Sequence, residues 1–195
     1  MKMNNFEKLS LKSMDITGKE VLKMDAAAYM ESGNEKWENG DREGAIDDFT
    51  KAIEIEPNNH SIYYWRARVK VELHDYFGSI DDYSKAIEKC IDKSYFLDYY
   101  CSRGYAKTEM NDDEGAIQDY LKAIDIAPDY FLPYAWLGKI YCKRKDYSKA
   151  VEYLDQCVKV IHNEDDFRMS EYLNQDYSEE EWNELVKYKT NIINK

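Results

Sequence analysis

Residues 44–57 read GAIDDFTKAIEIEP, and three further copies of this stretch follow along the chain. The copies read GSIDDYSKAIEKCI at residues 78–91, GAIQDYLKAIDIAP at 115–128 and, with more divergence, KAVEYLDQCVKVIH at 149–162. They begin 34, 37 and 34 residues apart, and a near-constant period of this size is typical of an array of repeated structural units. Apolar residues recur at helical spacing in each copy, as Ile46, Phe49 and Ile53 do in the first. Each copy is therefore predicted to form one amphipathic helix.

The residues upstream of each copy repeat as well. A tyrosine, a small residue four positions later and a second small residue in the copy itself recur in four units: Tyr29, Gly33 and Ala45; Tyr63, Ala67 and Ser79; Tyr100, Gly104 and Ala116; Tyr134, Gly138 and Ala150. This pattern, over roughly Ala26 to Ile161, resembles the tetratricopeptide repeat, a helix–turn–helix unit of 34 residues. The resemblance implies an all-α fold, a right-handed α-solenoid of antiparallel helix pairs.

The small residues also have a physical reason that does not depend on the resemblance. Two helices interlock closely only where their crossing point carries no bulk, so Gly33 and Gly104 are expected at such crossings. We place the first helices of the four units at residues 26–39, 61–73, 97–110 and 132–144. The second helices are placed at residues 43–55, 77–90, 114–126 and 148–161. The unit that ends near Ile91 lacks a closing proline and is followed by three extra residues, 94–96.

The ends of the chain are harder to interpret. Residues 1–23 are interpreted as an N-terminal arm that is partly disordered, with a helix that starts early at the capping-box spacing Thr17-x-x-Glu20. Residues 24–162 hold the four helix pairs. Residues 163–195 are interpreted as a divergent fifth helix pair that caps the array, since terminal repeats are usually atypical.

The charge balance excludes one class of partner. The chain has 27 Lys and Arg against 39 Asp and Glu, a formal charge of −12, whereas a surface that follows phosphates needs clustered basic residues. No nucleic-acid partner is therefore expected. The aspartates of the repeated stretch, Asp47, Asp48, Asp81, Asp82 and Asp119, are interpreted as a solvated outer face.

The sequence contains no apolar run long enough to cross a bilayer and no apolar segment of a secretory signal after the N-terminal lysines. The four cysteines, Cys90, Cys101, Cys142 and Cys157, form no CxxC pair and are interpreted as buried thiols in a reducing compartment. A cytoplasmic protein without a membrane partner is predicted.

No catalytic constellation is recognisable in the sequence. It has no glycine-rich phosphate loop and no HExxH motif, and His60, His74 and His162 have no ligand-like partner at helical spacing. We therefore expect no enzymatic activity, no metal site and no cofactor.

In the family that the chain resembles, the first helices line a concave groove that binds peptides or helices of partner proteins. Projecting the repeat pattern onto this chain gives a candidate peptide-binding groove of eight residues: Asn34, Trp37, Tyr64, Trp65, Arg68, Tyr105, Trp136 and Lys139. Aromatic residues and arginine are also the residue types that dominate binding energy at interfaces. The resemblance thus favours a protein-binding scaffold or adaptor. Two alternatives stay open: self-assembly into a homo-oligomer through the end helices, and a dedicated chaperone for one client protein.

Some members of the family hold the acidic C-terminal tails of heat-shock chaperones in a two-carboxylate clamp. Of the five clamp positions, only Asn34 matches. The other four carry Met30, Trp65, Asp98 and Ser102, where the clamp has Lys, Asn, Lys and Arg. Carboxylates need charged donors of that kind, so binding of these tails is not expected.

Overall fold

A computed structural model describes the backbone of residues 10–14 and 20–161, and the side chains of residues 24–161. The chain divides into two compact units, Met1–Lys93 (unit 1) and Ser94–Lys195 (unit 2). Unit 1 contains β1 (Ser10–Met14), β2 (Glu20–Met24), α1 (Ala26–Glu38), α2 (Arg42–Ile55), α3 (His60–Glu72) and α4 (Tyr76–Lys89). Unit 2 contains α5 (Phe96–Glu109), α6 (Asp113–Ile126), α7 (Leu132–Lys143) and α8 (Tyr147–Ile161). A short 3₁₀ turn, Lys93–Tyr95, lies at the three-residue insertion.

Consecutive helices pair within each unit. In unit 1, α1 packs on α2 and α3 on α4, and the two pairs meet through α2 and α3. Unit 2 repeats this arrangement, with α5 on α6, α7 on α8, and α6 against α7. The predicted all-α class of helix pairs is confirmed, and the predicted helix bounds agree with the observed ones to within one or two residues.

The second helix of each of the first three pairs begins with the same cap. Asp41, Asp75 and Asp112 each accept a hydrogen bond from the backbone N–H three residues later, at 2.9–3.0 Å. That later residue is Gly44, Gly78 or Gly115, where a Cβ atom would collide with the capping carboxylate. The recurring Asp-x-x-Gly spacing is therefore a helix start.

The first and second helices of a pair cross where the sequence places small residues. A Cβ atom at Gly33 would lie 2.9 Å from Cε1 of Phe49, and one at Gly104 would lie 2.7 Å from Cε1 of Tyr120. Both rings are fully buried. The predicted close crossing at these two glycines is confirmed.

The turn inside every pair contains one residue with a positive φ angle. These residues are Gly40 (84°), His74 (59°), Asn111 (60°) and Lys145 (60°). This left-handed conformation is strained for a residue with a Cβ atom, at a cost of about 1 kcal/mol. Only the first pair uses glycine, so the other turns retain that strain.

Replacing Lys145 by glycine is expected to raise the free energy of unfolding by about 1 kcal/mol, because glycine adopts this φ without strain. Urea denaturation followed by far-ultraviolet circular dichroism measures the change. Glu152→Gly, in the exposed middle of α8, is the matched control and is expected to lower the free energy of unfolding by about 1 kcal/mol. A loss of stability in Lys145→Gly would contradict the assigned turn conformation.

The N-terminal segment differs from the expectation. Residues 20–24 form a strand, antiparallel to β1 with Ser10 opposite Met24 and Met14 opposite Glu20. The helix expected to start at Thr17 is therefore absent over Glu20–Met24, and α1 instead begins after Asp25, whose side chain accepts a hydrogen bond from the Ala28 N–H at 2.8 Å. The other residues of the arm that is predicted to be partly disordered, 1–9 and 15–19, and the predicted C-terminal cap, residues 163–195, lie outside the described residues.

Candidate functional site

The eight candidate groove residues fall into two groups. Five lie in unit 1, on its first helices: Asn34, Trp37, Tyr64, Trp65 and Arg68. Three lie on the first helices of unit 2: Tyr105, Trp136 and Lys139. The structure brings several members of each group into contact.

In unit 1, three rings surround one guanidinium group. The Arg68 Cζ atom lies 4.9 Å from the ring centroid of Trp37, 5.1 Å from that of Trp65 and 5.8 Å from that of Tyr64. The Trp37 and Trp65 centroids are 5.9 Å apart, and those of Tyr64 and Trp65 are 5.3 Å apart. We call Trp37, Tyr64, Trp65 and Arg68 the Arg68 cluster. It joins α1 to α3 by cation–π and ring contacts.

A hydrogen-bonded carboxylate fixes one wall of this cluster. The Trp37 indole N–H donates to Oε1 of Glu72 at 2.9 Å. The other carboxylate oxygen of Glu72, Oε2, accepts from Nε of Arg42 at 2.7 Å. Both oxygens of Glu72 are thus engaged, and the hydrogen bond to the indole N–H fixes the orientation of the Trp37 ring.

The rings of the Arg68 cluster are half-buried rather than free. Trp37 and Trp65 pack against the unit 1 core that contains Phe49 and Ile62. Tyr64 contacts the buried ring of Tyr83 at 5.9 Å between centroids. Part of each ring therefore stabilises the fold, and the remainder is accessible on the surface of the first helices.

In unit 2, Trp136 is half-buried and packs against Tyr120, with 4.9 Å between ring centroids. Tyr105, which is 38% exposed, lies 6.5 Å from the Trp136 ring. Lys139 is half-buried, one helical turn after Trp136 on α7. Tyr105 and Trp136 therefore form a smaller aromatic contact of their own.

The aspartates of the repeated stretch do not form a uniform solvated face. Asp47 and Asp81 are exposed, whereas Asp48 and Asp119 are only 3% exposed and Asp82 is fully buried. The prediction was wrong for the three buried carboxylates. Each is buried because the first helix of its own pair supplies hydrogen-bond donors and positive charge.

The buried aspartate has the same kind of partners, an arginine and a lysine, in the second and third helix pairs. Asp82 accepts hydrogen bonds from Nε and Nη2 of Arg66 at 2.9 and 2.6 Å, and from Nζ of Lys70 at 2.7 Å. Asp119 accepts from Arg103 at 2.9 and 2.7 Å and pairs with Lys107 at 2.8 Å. A bidentate arginine plus a lysine satisfies most of the carboxylate's acceptor capacity.

The first pair uses a variant of this arrangement. Asp48 accepts from the Ser32 hydroxyl at 2.6 Å and pairs with Lys36 at 2.6 Å and Lys51 at 3.1 Å. Burial alone would raise the pKa of Asp48, but the hydrogen bonds from Lys36, Ser32 and Lys51 outweigh burial and lower that pKa below its ordinary value. The buried carboxylate therefore stays ionised.

The fourth pair replaces these charges with rings. The positions of the lysine and the aspartate are taken by Tyr141 and Tyr153, whose rings stack with 5.5 Å between centroids and 5° between planes. The sequence signal for the charged arrangement is an arginine 16 residues before an aspartate, as in Arg66 and Asp82. The same spacing separates Arg103 from Asp119.

The cysteines and the acidic groups suggest no reactive centre among the described residues. Burial raises the pKa of the Cys101 thiol to about 12 and that of Cys157 to about 11, which leaves both thiols protonated at neutral pH. Residues 24–161 hold no group of three or more His, Cys, Asp or Glu side chains arranged to bind a metal ion. No helix in the described part of the chain is long and apolar enough to cross a membrane.

Comparison with known proteins identifies the repeats. A family model described as TPR repeat matches residues 104–145, and one described as tetratricopeptide repeat matches residues 26–59 and 133–161. No curated protein sequence matches the chain. The matched stretches lie in the helix pairs of both units.

Solved structures show the same architecture. A crystal structure of MamA protein is 22% identical, with a TM-score of 0.69, and the match covers 85% of this chain and 88% of that one. The first TPR of Spaghetti (RPAP3), bound to the HSP90 peptide SRMEEVD, is 28% identical, with a TM-score of 0.55 and coverage of 60% and 90%. The N-terminal domain of stress-induced protein-1 (STI-1) from C. elegans is 25% identical, with a TM-score of 0.50 and coverage of 52% and 84%.

The repeated sequence, the helix pairs that it forms and these matches agree with one another. The interpretation made from the 34-residue period is confirmed, and the fold is one that typically serves as a non-catalytic module for protein–protein interaction. The chain belongs to the tetratricopeptide repeat family.

Proposed function

We propose that this protein is a non-enzymatic scaffold or adaptor that binds a peptide or helix of a partner protein along the surface of its first helices. The observation that carries the proposal is the Arg68 cluster. It places two tryptophans, a tyrosine and an arginine together, half-buried, on α1 and α3. Rigid aromatic rings and arginine in one patch are typical of the energetic centre of an interface.

Residues of the second helices mainly hold the fold together. This favours the surface of the first helices as the binding surface. The second helices carry the buried carboxylates and the small residues of the crossings, such as Asp82 and Ala86. Their outward residues include charged pairs such as Lys85 with Asp81, 42% and 56% exposed. Exposed pairs of this kind contribute little binding energy.

The similar structure of the first TPR of Spaghetti (RPAP3) contains a bound HSP90 peptide, so peptides of that kind are one class of partner to consider. In this chain, Met30 and Trp65 stand where that kind of site needs a lysine and an asparagine, and Trp65 is engaged by Arg68. We therefore propose a partner other than an acidic heat-shock tail held in a two-carboxylate clamp. The expected ligand is a segment that presents apolar side chains to the rings.

Replacing Trp65 by alanine is expected to weaken capture of the partner at least tenfold, because one ring of the Arg68 cluster is lost. The purified full-length protein is immobilised, and proteins retained from a cell extract are quantified by mass spectrometry. Phe77→Ala is the matched control, since Phe77 is 78% exposed at the start of α4, away from the first helices. Circular dichroism establishes that both variants are folded at the temperature used.

Two results would contradict the proposal. One is equal recovery of the same proteins by Trp65→Ala and the parent chain. The other is loss of the partner from Phe77→Ala with retention by Trp65→Ala, which would move the binding surface to the second helices.

A further inference from the structure

Arg68 differs from its neighbouring cations in what it contacts. Six other lysines and arginines in the described part of unit 1 are paired with carboxylates: Arg66 and Lys70 with Asp82, Arg42 with Glu72, Lys36 and Lys51 with Asp48, and Lys85 with Asp81. Lys89 lies over one ring, that of Tyr63, at 5.9 Å. Within residues 24–161, Arg68 has three rings around it and no carboxylate or hydrogen-bond partner. No described residue therefore neutralises its charge.

The contacts with the rings do not use up the donors of Arg68 as a carboxylate would. A guanidinium that stacks on an aromatic ring does so through its own face, and its N–H groups lie in the plane of the group. Contacts at 4.9, 5.1 and 5.8 Å hold this group half-buried, so less water competes for it than at a free surface arginine. A guanidinium is the side-chain group best suited to bidentate binding of a planar oxyanion.

From this geometry we infer that Arg68 is an oxyanion-binding subsite that takes one side-chain carboxylate, from Asp or Glu, of the bound segment. The inference rests on the proposed function, since it names the chemistry of the ligand on the same surface. The rings of Trp37 and Trp65 take an apolar residue of the ligand beside that carboxylate. Arg68 is not one of the five positions of the two-carboxylate clamp, so this subsite is a different one.

Glu72, one turn after Arg68 on α3, is the carboxylate whose helical spacing would allow it to neutralise Arg68. It is held elsewhere, with Oε1 on the Trp37 indole N–H at 2.9 Å and Oε2 on Arg42 at 2.7 Å. The same bond to Trp37 fixes a ring that contacts Arg68 at 4.9 Å. Glu72 thus supports the subsite without occupying it.

The overall charge of −12 opposes the approach of an acidic ligand. At physiological ionic strength, however, charges separated by more than about 8 Å are largely screened. The contact between Arg68 and a bound carboxylate is shorter than that distance and partly shielded from solvent. Local pairing therefore decides the affinity, and the net charge acts mainly on the association rate.

The test starts from a phage-displayed library of random 12-residue peptides, selected on the full-length chain and, in parallel, on Arg68→Gln. The parent chain is expected to enrich peptides with Asp or Glu beside an apolar residue, and Arg68→Gln is expected to lose that preference. Each selected peptide is then synthesised with its acidic residue, with the matching amide (Asn or Gln) and with phosphoserine. Affinities are measured by fluorescence anisotropy.

Arg68→Gln is expected to weaken binding of the acidic peptide by about tenfold or more, because a charge-assisted hydrogen bond is lost. It is expected to leave the amide peptide unchanged, a result that a merely structural role of Arg68 would not give. Lys85→Gln removes an exposed lysine from the second helix of the same pair and serves as the matched control, with no expected effect on either peptide.

Three outcomes overturn the inference. Equal affinity of the acidic and amide peptides would show that the carboxylate of the ligand is not recognised, and would not contradict the proposed binding surface. A phosphoserine peptide bound more than tenfold tighter than the acidic one would assign the subsite to a phosphate. No peptide enrichment on the parent chain would contradict the proposed function itself.

Discussion

Asp82→Ala is expected to lower the free energy of unfolding of unit 1 by about 3–5 kcal/mol, the cost of leaving a buried ion pair without one partner. Asp82 is fully buried and is the acceptor for Arg66 and Lys70, whose side chains are only 13% and 17% exposed. Its removal leaves two cations inside the α3–α4 pair without a counter-charge. The unfolding midpoint in urea, followed by circular dichroism, measures the loss.

The neighbouring residue is a matched control for this prediction. Asp81 has the same side chain one position earlier, but it is 56% exposed and pairs with Lys85 on the surface. Asp81→Ala is expected to change the free energy of unfolding by about 0.5 kcal/mol or less. Similar losses for the two variants would contradict the burial of Asp82 and the ion pairs assigned to it.

Gly104→Ala is expected to destabilise unit 2 by about 2 kcal/mol, although alanine is favoured over glycine in a helix by about 1 kcal/mol. A Cβ atom at Gly104 would lie 2.7 Å from Cε1 of Tyr120. The Tyr120 ring is fully buried, and its hydroxyl lies 3.3 Å from the Thr108 hydroxyl. The Trp136 ring packs against it, with 4.9 Å between centroids, and opposes its displacement. Thermal unfolding by circular dichroism measures the change.

Removing the ring should reverse the sign of this effect. In a Tyr120→Leu background, Gly104→Ala no longer meets an aromatic edge and is expected to stabilise the chain by about 1 kcal/mol through helix propensity. The difference between the two backgrounds is the coupling between the residues. If Gly104→Ala were stabilising in the parent chain, the close crossing of α5 and α6 would be refuted.

Much of the fold is predictable from the sequence because each helix carries its own signals. The glycines at the crossings, the aspartates at the helix starts and the apolar period all agree with one another in each repeat. Gly104 illustrates this, since the small residue and the ring that it faces recur at fixed positions. Repeated local consistency of this kind specifies helix pairs without knowledge of distant contacts.

The buried carboxylates were missed because an aspartate among lysines on a helix is usually solvated. Asp81 and Asp82 are adjacent and chemically identical, and only their positions relative to the preceding helix separate them. Asp82 lies 16 residues after Arg66 and faces it, whereas Asp81 points to solvent. The N-terminal strands were missed for a related reason. A capping-box spacing such as Thr17-x-x-Glu20 fits a loop as well as a helix start.

The candidate site was predictable in position but not in detail. The repeat pattern places Trp37, Trp65 and Arg68 on the first helices, and the structure brings them into contact. The position of Arg68 among three rings depends on the side-chain conformations of residues on both α1 and α3. The engagement of Glu72 by Trp37 and Arg42, which keeps this carboxylate from pairing with Arg68, also depends on the packing of the two helix pairs.

The most direct measurement uses the four tryptophans of the chain, Trp37, Trp65, Trp136 and Trp182. Each gives one indole N–H signal in a ¹H–¹⁵N nuclear magnetic resonance spectrum of the full-length protein, assigned by substitution to phenylalanine. On addition of a selected 12-residue peptide, the signals of Trp37 and Trp65 are predicted to shift most, because both rings belong to the Arg68 cluster. A spectrum in which the peptide shifts the Trp182 signal and leaves Trp37 and Trp65 unchanged would contradict binding on the first helices.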